Sequence, residues 1–227
     1  LNTFNLPDST IEKGSDYFNT KLWTGTASGQ SITGMGFEPS WLWFKSRNNA
    51  NDHALFDAVR GRAKGSKSNS SAAETTSGAT SDLVSFDSDG FTTGTPANYS
   101  SLGSSGHTVV TWGWKANGSG VSNTEGSEDS VISANTTAGF SIVSYTGTGA
   151  NMTIGHGLGA VPDLMIFKIR NSADNWAVWH KSFAVNQYVY LNNTTAKATV
   201  STFMNGTLPT STLISLGSWA TVNYTAS

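Results

Sequence analysis

Two stretches of this chain carry the same pattern of residues, and that internal repeat constrains the fold more than any other feature. Trp23-Thr24-Gly25-Thr26 recurs as Tyr145-Thr146-Gly147-Thr148, an offset of 122. At an offset of 123, Gly34-Met35-Gly36 recurs as Gly157-Leu158-Gly159 and Pro39 as Pro162. Trp41-Leu42-Trp43-Phe44-Lys45 then lies over Leu164-Met165-Ile166-Phe167-Lys168, and Arg47-Asn48 over Arg170-Asn171. His53-Ala54-Leu55-Phe56 lies over Trp176-Ala177-Val178-Trp179. Asn69-Ser70-Ser71-Ala72 lies over Asn193-Thr194-Thr195-Ala196 at an offset of 124. Matched turns and apolar runs at nearly constant spacing mean two units of one design, each with its own core.

Within each unit the apolar runs are short and bounded by Gly and Asn, which is the pattern of β-strands. The first copy predicts strands over Lys21 to Gly25, Gln30 to Gly34, Trp41 to Ser46 and Ala54 to Ala58. Three more follow at Leu83 to Phe86, Phe91 to Gly94 and His107 to Lys115. No long window has a 3.6-residue apolar period, so helices are not expected. The 24 Gly and the 8 Trp, 11 Phe and 6 Tyr fit turn-rich β structure. Asp89-Gly90, inside Phe86-Asp87-Ser88-Asp89-Gly90-Phe91, reads as a type I′ or similar tight hairpin turn. Gly61 to Ser81 reads as a long loop with at most one short strand. The expected fold is all-β, with two tandem β-sandwich (jelly-roll-like) repeats. Residues 1–16 form an N-terminal arm, 17–116 the first repeat, 117–138 a polar linker, and 139–227 the second repeat. The second repeat has no counterpart of the strong strand Val109 to Trp114, so it is expected to lack its last strand. A longer parent protein, a neighbouring subunit or the N-terminal arm would then supply it, or the second copy has diverged and needs no such strand. The start at Leu1 rather than Met is expected to mean either a trimmed start or a piece of something longer.

Charge and cysteine content exclude several functions. Charged residues are 12% and the net charge is -2, so no basic surface for nucleic acid is expected. With no Cys there is no disulfide scaffold, thiol nucleophile or thiolate zinc site. No apolar run nears the ~18 residues of a membrane-spanning helix, so no membrane insertion is expected.

The chemistry-bearing residues are few. His53, Asp57 and Arg60 form the densest polar cluster, and His53, Leu55 and Asp57 would share a strand face. The cluster reads as an Asp–Arg pair pinning a strand to the following loop, with a polar acid–base–cation site as the functional alternative. No nucleophile elbow or phosphate loop accompanies it. Asp87-Ser88-Asp89-Gly90 resembles the start of a calcium loop but lacks the closing Glu. His156, flanked by glycines, reads as a turn residue. Glu12, Glu38, Glu74, Glu125 and Glu128 fall in predicted loops, and the repeat keeps none of them. Strand alternation places Trp41 and Trp43 on one face, and Trp112 and Trp114 on one face. Such pairs are read as core, where truncation costs ~3–5 kcal/mol, and as glycan-stacking platforms if exposed. The matched aromatics Trp23/Tyr145, Phe44/Phe167 and Phe56/Trp179 are core candidates.

Several of these runs resemble a repeat family of tailed-phage virion proteins. They are Lys21-Leu22-Trp23-Thr24-Gly25, Gln30-Ser31-Ile32-Thr33-Gly34, Gly36-Phe37-Glu38-Pro39, Ala54 through Gly61, Phe86 through Phe91 and Ala138 through Val143. The family is similar to segments of marine phage and cyanophage tail-fibre and other structural proteins, and is known as a domain of unknown function. The resemblance spans nearly the whole chain after Asp16. It implies a virion structural protein, a tail-fibre or head-fibre/decoration component that projects from the particle and contacts the host surface. Its partners would be other virion proteins, further copies of the chain and a host-surface glycan. It implies no catalytic site, cofactor or metal. The alternatives are a carbohydrate-binding module or lectin without a virion role, and a polysaccharide depolymerase.

Overall fold

Alternation of large apolar with polar residues gives each strand one face for the core. The computed structural model describes residues 11–225, which form an all-β fold. Of the N-terminal arm, residues 1–10 lie outside the described part, and Gly14–Asp16 forms one 3-10 turn. The first repeat holds β1 (Phe18–Thr24), β2 (Gln30–Thr33), β3 (Trp41–Ser46), β4 (Ala54–Asp57), β5 (Lys64–Ser66), β6 (Thr75–Thr76), β7 (Leu83–Asp87), β8 (Gly90–Thr93) and β9 (Thr108–Trp114). Six strands run in the order β1-β9-β3-β4-β5-β6, and β2-β8-β7 forms a second sheet. Both sheets feed one core: Leu42, Phe44 and Phe56 come from the first, and Leu83 and Phe91 from the second.

β9 carries this arrangement. It pairs antiparallel with β1 on one edge and β3 on the other. Its inward residues Val109, Thr111 and Gly113 are buried, and its outward residues include Trp112 and Trp114. Gly113 lies against the end of the Met35 side chain, which occupies the space a Cβ would take.

The remaining strands are β10 (Val121–Asn123), β11 (Ser130–Asn135), β12 (Phe140–Tyr145), β13 (Met152–Gly155), β14 (Leu164–Phe167), β15 (Ala177–His180), β16 (Gln187–Tyr190), β17 (Ala198–Thr199) and β18 (Leu213–Leu216). They form β10-β11-β12, β13-β18 and β14-β15-β16-β17. Phe167, Trp179, Phe203, Ile214 and Leu216 belong to a second core. Trp23, Phe44 and Phe56 pack in the first core and Tyr145, Phe167 and Trp179 in the second, each at its repeat-matched place.

The structure departs from the sequence reading at five places. The stretch 61–81 contains two short strands, β5 and β6, because neighbouring β4 supplies a template that Gly- and Ser-rich residues can join. The expected linker 117–138 contains β10 and β11, which extend the second repeat's sheet from β12. Its buried positions include Ser130 and Ser133, whose hydroxyls are hydrogen-bonded, so the segment lacks an apolar signature. At the β7–β8 hairpin Asp87 pairs with Gly90, so the loop residues are Ser88 and Asp89, neither at positive φ, and the turn is not type I′. Gly90 is needed instead because a Cβ would stand 1.9 Å from the Ile32 carbonyl oxygen. Among the described residues the second repeat has no counterpart of β7 as well as none of β9; Pro209, without an N–H, sits in the β7 position.

The fifth departure concerns the Trp pairs. Trp41 and Trp43 do share a face, as do Trp112 and Trp114, but it is the face opposite Leu42, Phe44 and Val109. They are half-buried on the outer side of the sheet, not in its core. Phe44→Ala should therefore cost ~3–5 kcal/mol. Trp112→Ala should cost less, about 1–2 kcal/mol. Urea unfolding midpoints of the two variants check this, and equal losses would put Trp112 in the core.

Candidate functional site

Two features stand on the outer face of the six-stranded sheet. The first is a run of aromatic rings. Phe18 meets Trp114 at 4.9 Å, Trp114 meets Trp41 at 4.6 Å, and Trp41 meets Trp43 at 5.9 Å. Trp43 meets Trp112 edge-on at 6.2 Å. These contacts follow from register, because Trp41 faces Trp114 and Trp43 faces Trp112 across the β3–β9 ladder. Phe140 of β12 stacks on Trp41 at 5.7 Å and on Trp114 at 6.3 Å, so the second repeat covers one end of the row. At the other end, the Trp43 indole N–H donates to His53 Nδ1 at 2.7 Å. Burial, then the Lys45 charge, lower the His53 pKa against the opposing pull of Asp52. A neutral ring accepting through Nδ1 matches that direction.

The second feature is a buried charge network. The Arg60 guanidinium lies against Asp57, and its Nη1 reaches Glu74 Oε2 and Ser66 Oγ, both at 2.9 Å. Arg170, from the second repeat, reaches the same Glu74 oxygen at 3.2 Å, and its backbone carbonyl accepts from the Glu74 N–H. Burial alone would raise the Glu74 carboxyl, but hydrogen bonds from Arg170 and Arg60 outweigh it and hold the group below its ordinary value. Burial likewise opposes the Arg60 charge, and Asp57 then Glu74 more than compensate. Beside this network Trp176 donates its indole N–H to the Lys67 and Ser70 carbonyls at 2.9 and 3.1 Å. Asp174 N–H donates to Ser71 O. Together these contacts dock the second repeat on the loop between β5 and β6.

Of the polar cluster named from the sequence, Asp57 and Arg60 come together, while His53 is turned to Trp43 instead. The Glu74 and Arg170 partners were missed. One signal was available: Glu74 is the sole acid between Asp57 and Asp82, among Arg60, Arg62, Lys64 and Lys67. The Asp87–Gly90 turn offers its carboxylates to the protein itself. Asp89 accepts from the Gly34 and Gly36 N–H groups at 2.9 and 2.6 Å, and Asp87 accepts from Thr92 Oγ1. No group of three or more metal-ligating side chains occurs among the described residues. His156 is buried, accepts from Leu158 N–H and is within 3.2 Å of the Thr210 carbonyl. Burial lowers its pKa. It ties the loop before Pro162 to the strand hairpin near β18.

An all-β chain with two hydrophobic cores, joined by a buried ion network and presenting an aromatic outer face, is the class these features define. The chain belongs to the family described as a domain of unknown function (DUF7483), whose model matches residues 13–227. No curated protein and no solved structure matches it.

Because the Glu74 pKa is depressed in the folded state, its contribution to stability is full above the ordinary value of 4.5 and is lost as pH falls through the folded value. E74Q should cost about 2 kcal/mol near neutral pH, and the gap from wild type should close below pH 4. Urea midpoints across that range check the sign; a gap that widens in acid would contradict it.

Proposed function

We propose that this chain is a non-enzymatic structural module of a tailed-phage virion, a tail-fibre or head-fibre/decoration component that contacts the host surface. The fold would act as two tandem jelly-roll-like sandwiches, stiff in themselves and stiffly joined. Further copies and other virion proteins are its expected partners, and its place is the particle surface. The observation that carries the adhesive part is the Trp43–Trp112 end of the aromatic row. Two half-exposed indoles on a rigid sheet, with His53 fixing one of them, form a platform on which a sugar ring can stack. The virion part is supported by the sequence resemblance.

The charge network favours binding over catalysis. A general acid needs a raised carboxyl pKa. Glu74, which lines a groove between β4 and β12, is shifted the other way by two arginines. A sugar-binding module without a virion role is the second reading, and the same indole platform favours it.

Immunogold labelling of intact phage particles with antibody against this chain separates the two. Label on the particle is expected, and its position on head or tail chooses between decoration and host-contact fibre. Bare particles, together with glycan-array binding by the purified chain, would move the function to a free sugar-binding protein. On such an array W43A and W112A should each lose about tenfold in affinity, roughly 1.4 kcal/mol. Unchanged binding would remove the platform from the argument.

A further inference from the structure

Strand register lays the outer face of the first sheet out in rows. In one row Phe18, Trp114, Trp41 and Asp57 stand opposite one another across β1, β9, β3 and β4. Phe140 of the second repeat stacks on its two indoles, so this row is taken. In the next row stand Thr20, Trp112, Trp43 and Leu55. Beyond it Leu22, Val110 and Lys45 stand in line. Phe44 pairs with Ala54, so His53 comes next to Lys45 at the end of that ladder. Thr20 and Leu22 are exposed, Leu22 at 63%, while Trp43, Trp112, Val110 and Lys45 are half-buried. All four strands are present and paired, so these two rows do not depend on the ends of the chain.

The open rows carry a single formal charge, that of Lys45. Its Nζ donates to the Asn49 and Asn51 carbonyls, both at 3.0 Å. Those bonds hold the ammonium in place without neutralising it, and they leave its third N–H free. Among the described residues no carboxylate pairs with it. Asp52, the acid beside His53, is bound to Lys67 at 2.9 Å and to the Asn69 amide at 2.8 Å. His53 adds a second donor. Its Nδ1 accepts from Trp43, so the proton of the neutral ring is on Nε2, which has no acceptor among the described residues. The lowered His53 pKa reflects the same excess of positive charge, since after burial the Lys45 ammonium is its cause.

We propose that the Trp43–Trp112 platform selects an acidic sugar, a pyranose whose carboxylate is held by Lys45 and His53 while its ring stacks on the indoles. This rests on the reading of the two indoles as a sugar platform. Indoles alone accept the C–H face of any pyranose. An uncompensated ammonium beside them attracts a uronate and gives its uncharged counterpart nothing. The two free donors, one on Lys45 and one on His53, match the two oxygens of one carboxylate. No acid on the open rows competes for them, because Asp57 lies in the covered row and is held by Arg60.

The test titrates the full chain with the methyl glycosides of glucuronic, galacturonic and mannuronic acid, each beside its uncharged methyl ester. Nuclear magnetic resonance follows the indole N–H signals of Trp43 and Trp112. At least one acid should bind about fivefold more tightly than its ester at low salt, as expected of a partly exposed ion pair. It should shift both indole signals. The preference should vanish at about 1 M salt, where screening acts within about 3 Å. K45Q should bind acid and ester alike, and K45R should keep the preference. Lys45 also ties down the loop, so the salt series on the unaltered chain stands as a second measurement. Equal binding of acid and ester, or a preference that salt leaves unchanged, would overturn the choice of an acidic ligand and leave the platform standing. Binding of neither, with both indole signals unmoved, would overturn the platform and the proposal with it. Overhauser contacts from residues 1–10 to the indoles would assign the rows to the chain's own arm. Indole shifts on concentrating the chain alone would assign them to a second copy. Either result would overturn the proposal.

Discussion

A strand in the middle of a sheet must satisfy hydrogen bonds on both edges and side chains on both faces at once, and β9 does all four for the first repeat. Its edges join β1 to β3, which would otherwise be separate parts of the chain. Its inner face closes the core with Val109, Thr111 and Gly113, and its outer face supplies Trp112 and Trp114. The core, the sheet order and the aromatic surface of this repeat are therefore consequences of one segment. In the second repeat β12 pairs with β11 and β14 with β15, and β18, the counterpart of β8, pairs with β13 alone because no counterpart of β7 lies beside it among the described residues. Tyr145, whose counterpart Trp23 bonds to Thr111 on β9, instead donates its hydroxyl to the Val222 carbonyl at 2.6 Å.

The two repeats are held to each other by unlike forces at neighbouring places. Phe140 on Trp41 and Trp114 is an apolar stack, cheap to form because each ring already lies half-buried on its own sheet. The Arg60–Glu74–Arg170 network is different. A guanidinium buried this deeply is tolerable only with its carboxylates in place. It thus fixes relative position more than it adds stability, since removing one partner strands the others. Both contacts use residues of the outer face, so the surface that in an isolated repeat would be entirely open is partly consumed by the tandem arrangement.

What the sequence disclosed follows from the range of the interactions. The strands at the repeat-matched runs, and the aromatic pairs such as Phe44/Phe167, are legible because period and spacing are local properties. β5 and β6 are not, since their residues pair only because β4 is beside them. Glu74 and Arg170 lie 96 residues apart, and nothing in their immediate sequence links them. The orientation of Trp41 and Trp43 was half legible: alternation fixes that they share a face, but only the neighbours of Leu42 and Phe44 decide which face is core. At one point residue identity and role part: by identity Asn69 matches Asn193, yet its role falls to Asn192. Asn69 Oδ1 accepts from His53 N–H and its amide donates to Asp52; Asn192 Oδ1 accepts from Trp176 N–H and its amide donates to Asn175. An offset of 123 thus holds through the loop, and the apparent drift to 124 came from the Asn-Asn run at Asn192 and Asn193, where residue identity is ambiguous and hydrogen bonding is not.

The inner and outer faces of the matched strands differ in what they share. The inner positions keep their kind: Leu42 and Met165, Phe44 and Phe167, Ala54 and Ala177, Phe56 and Trp179 are apolar in both copies, as a close-packed core requires. The outer positions do not. Trp41 and Trp43 stand against Leu164 and Ile166, and His53, which holds Trp43, stands against Trp176, which instead reaches across to the first repeat. Core packing cannot account for this difference, because neither outer face contributes to its own repeat's core. The outer residues of the second copy serve docking, whereas those of the first present the indole row. The division of labour is therefore written on the outer faces, while the shared inner faces give both copies the same frame.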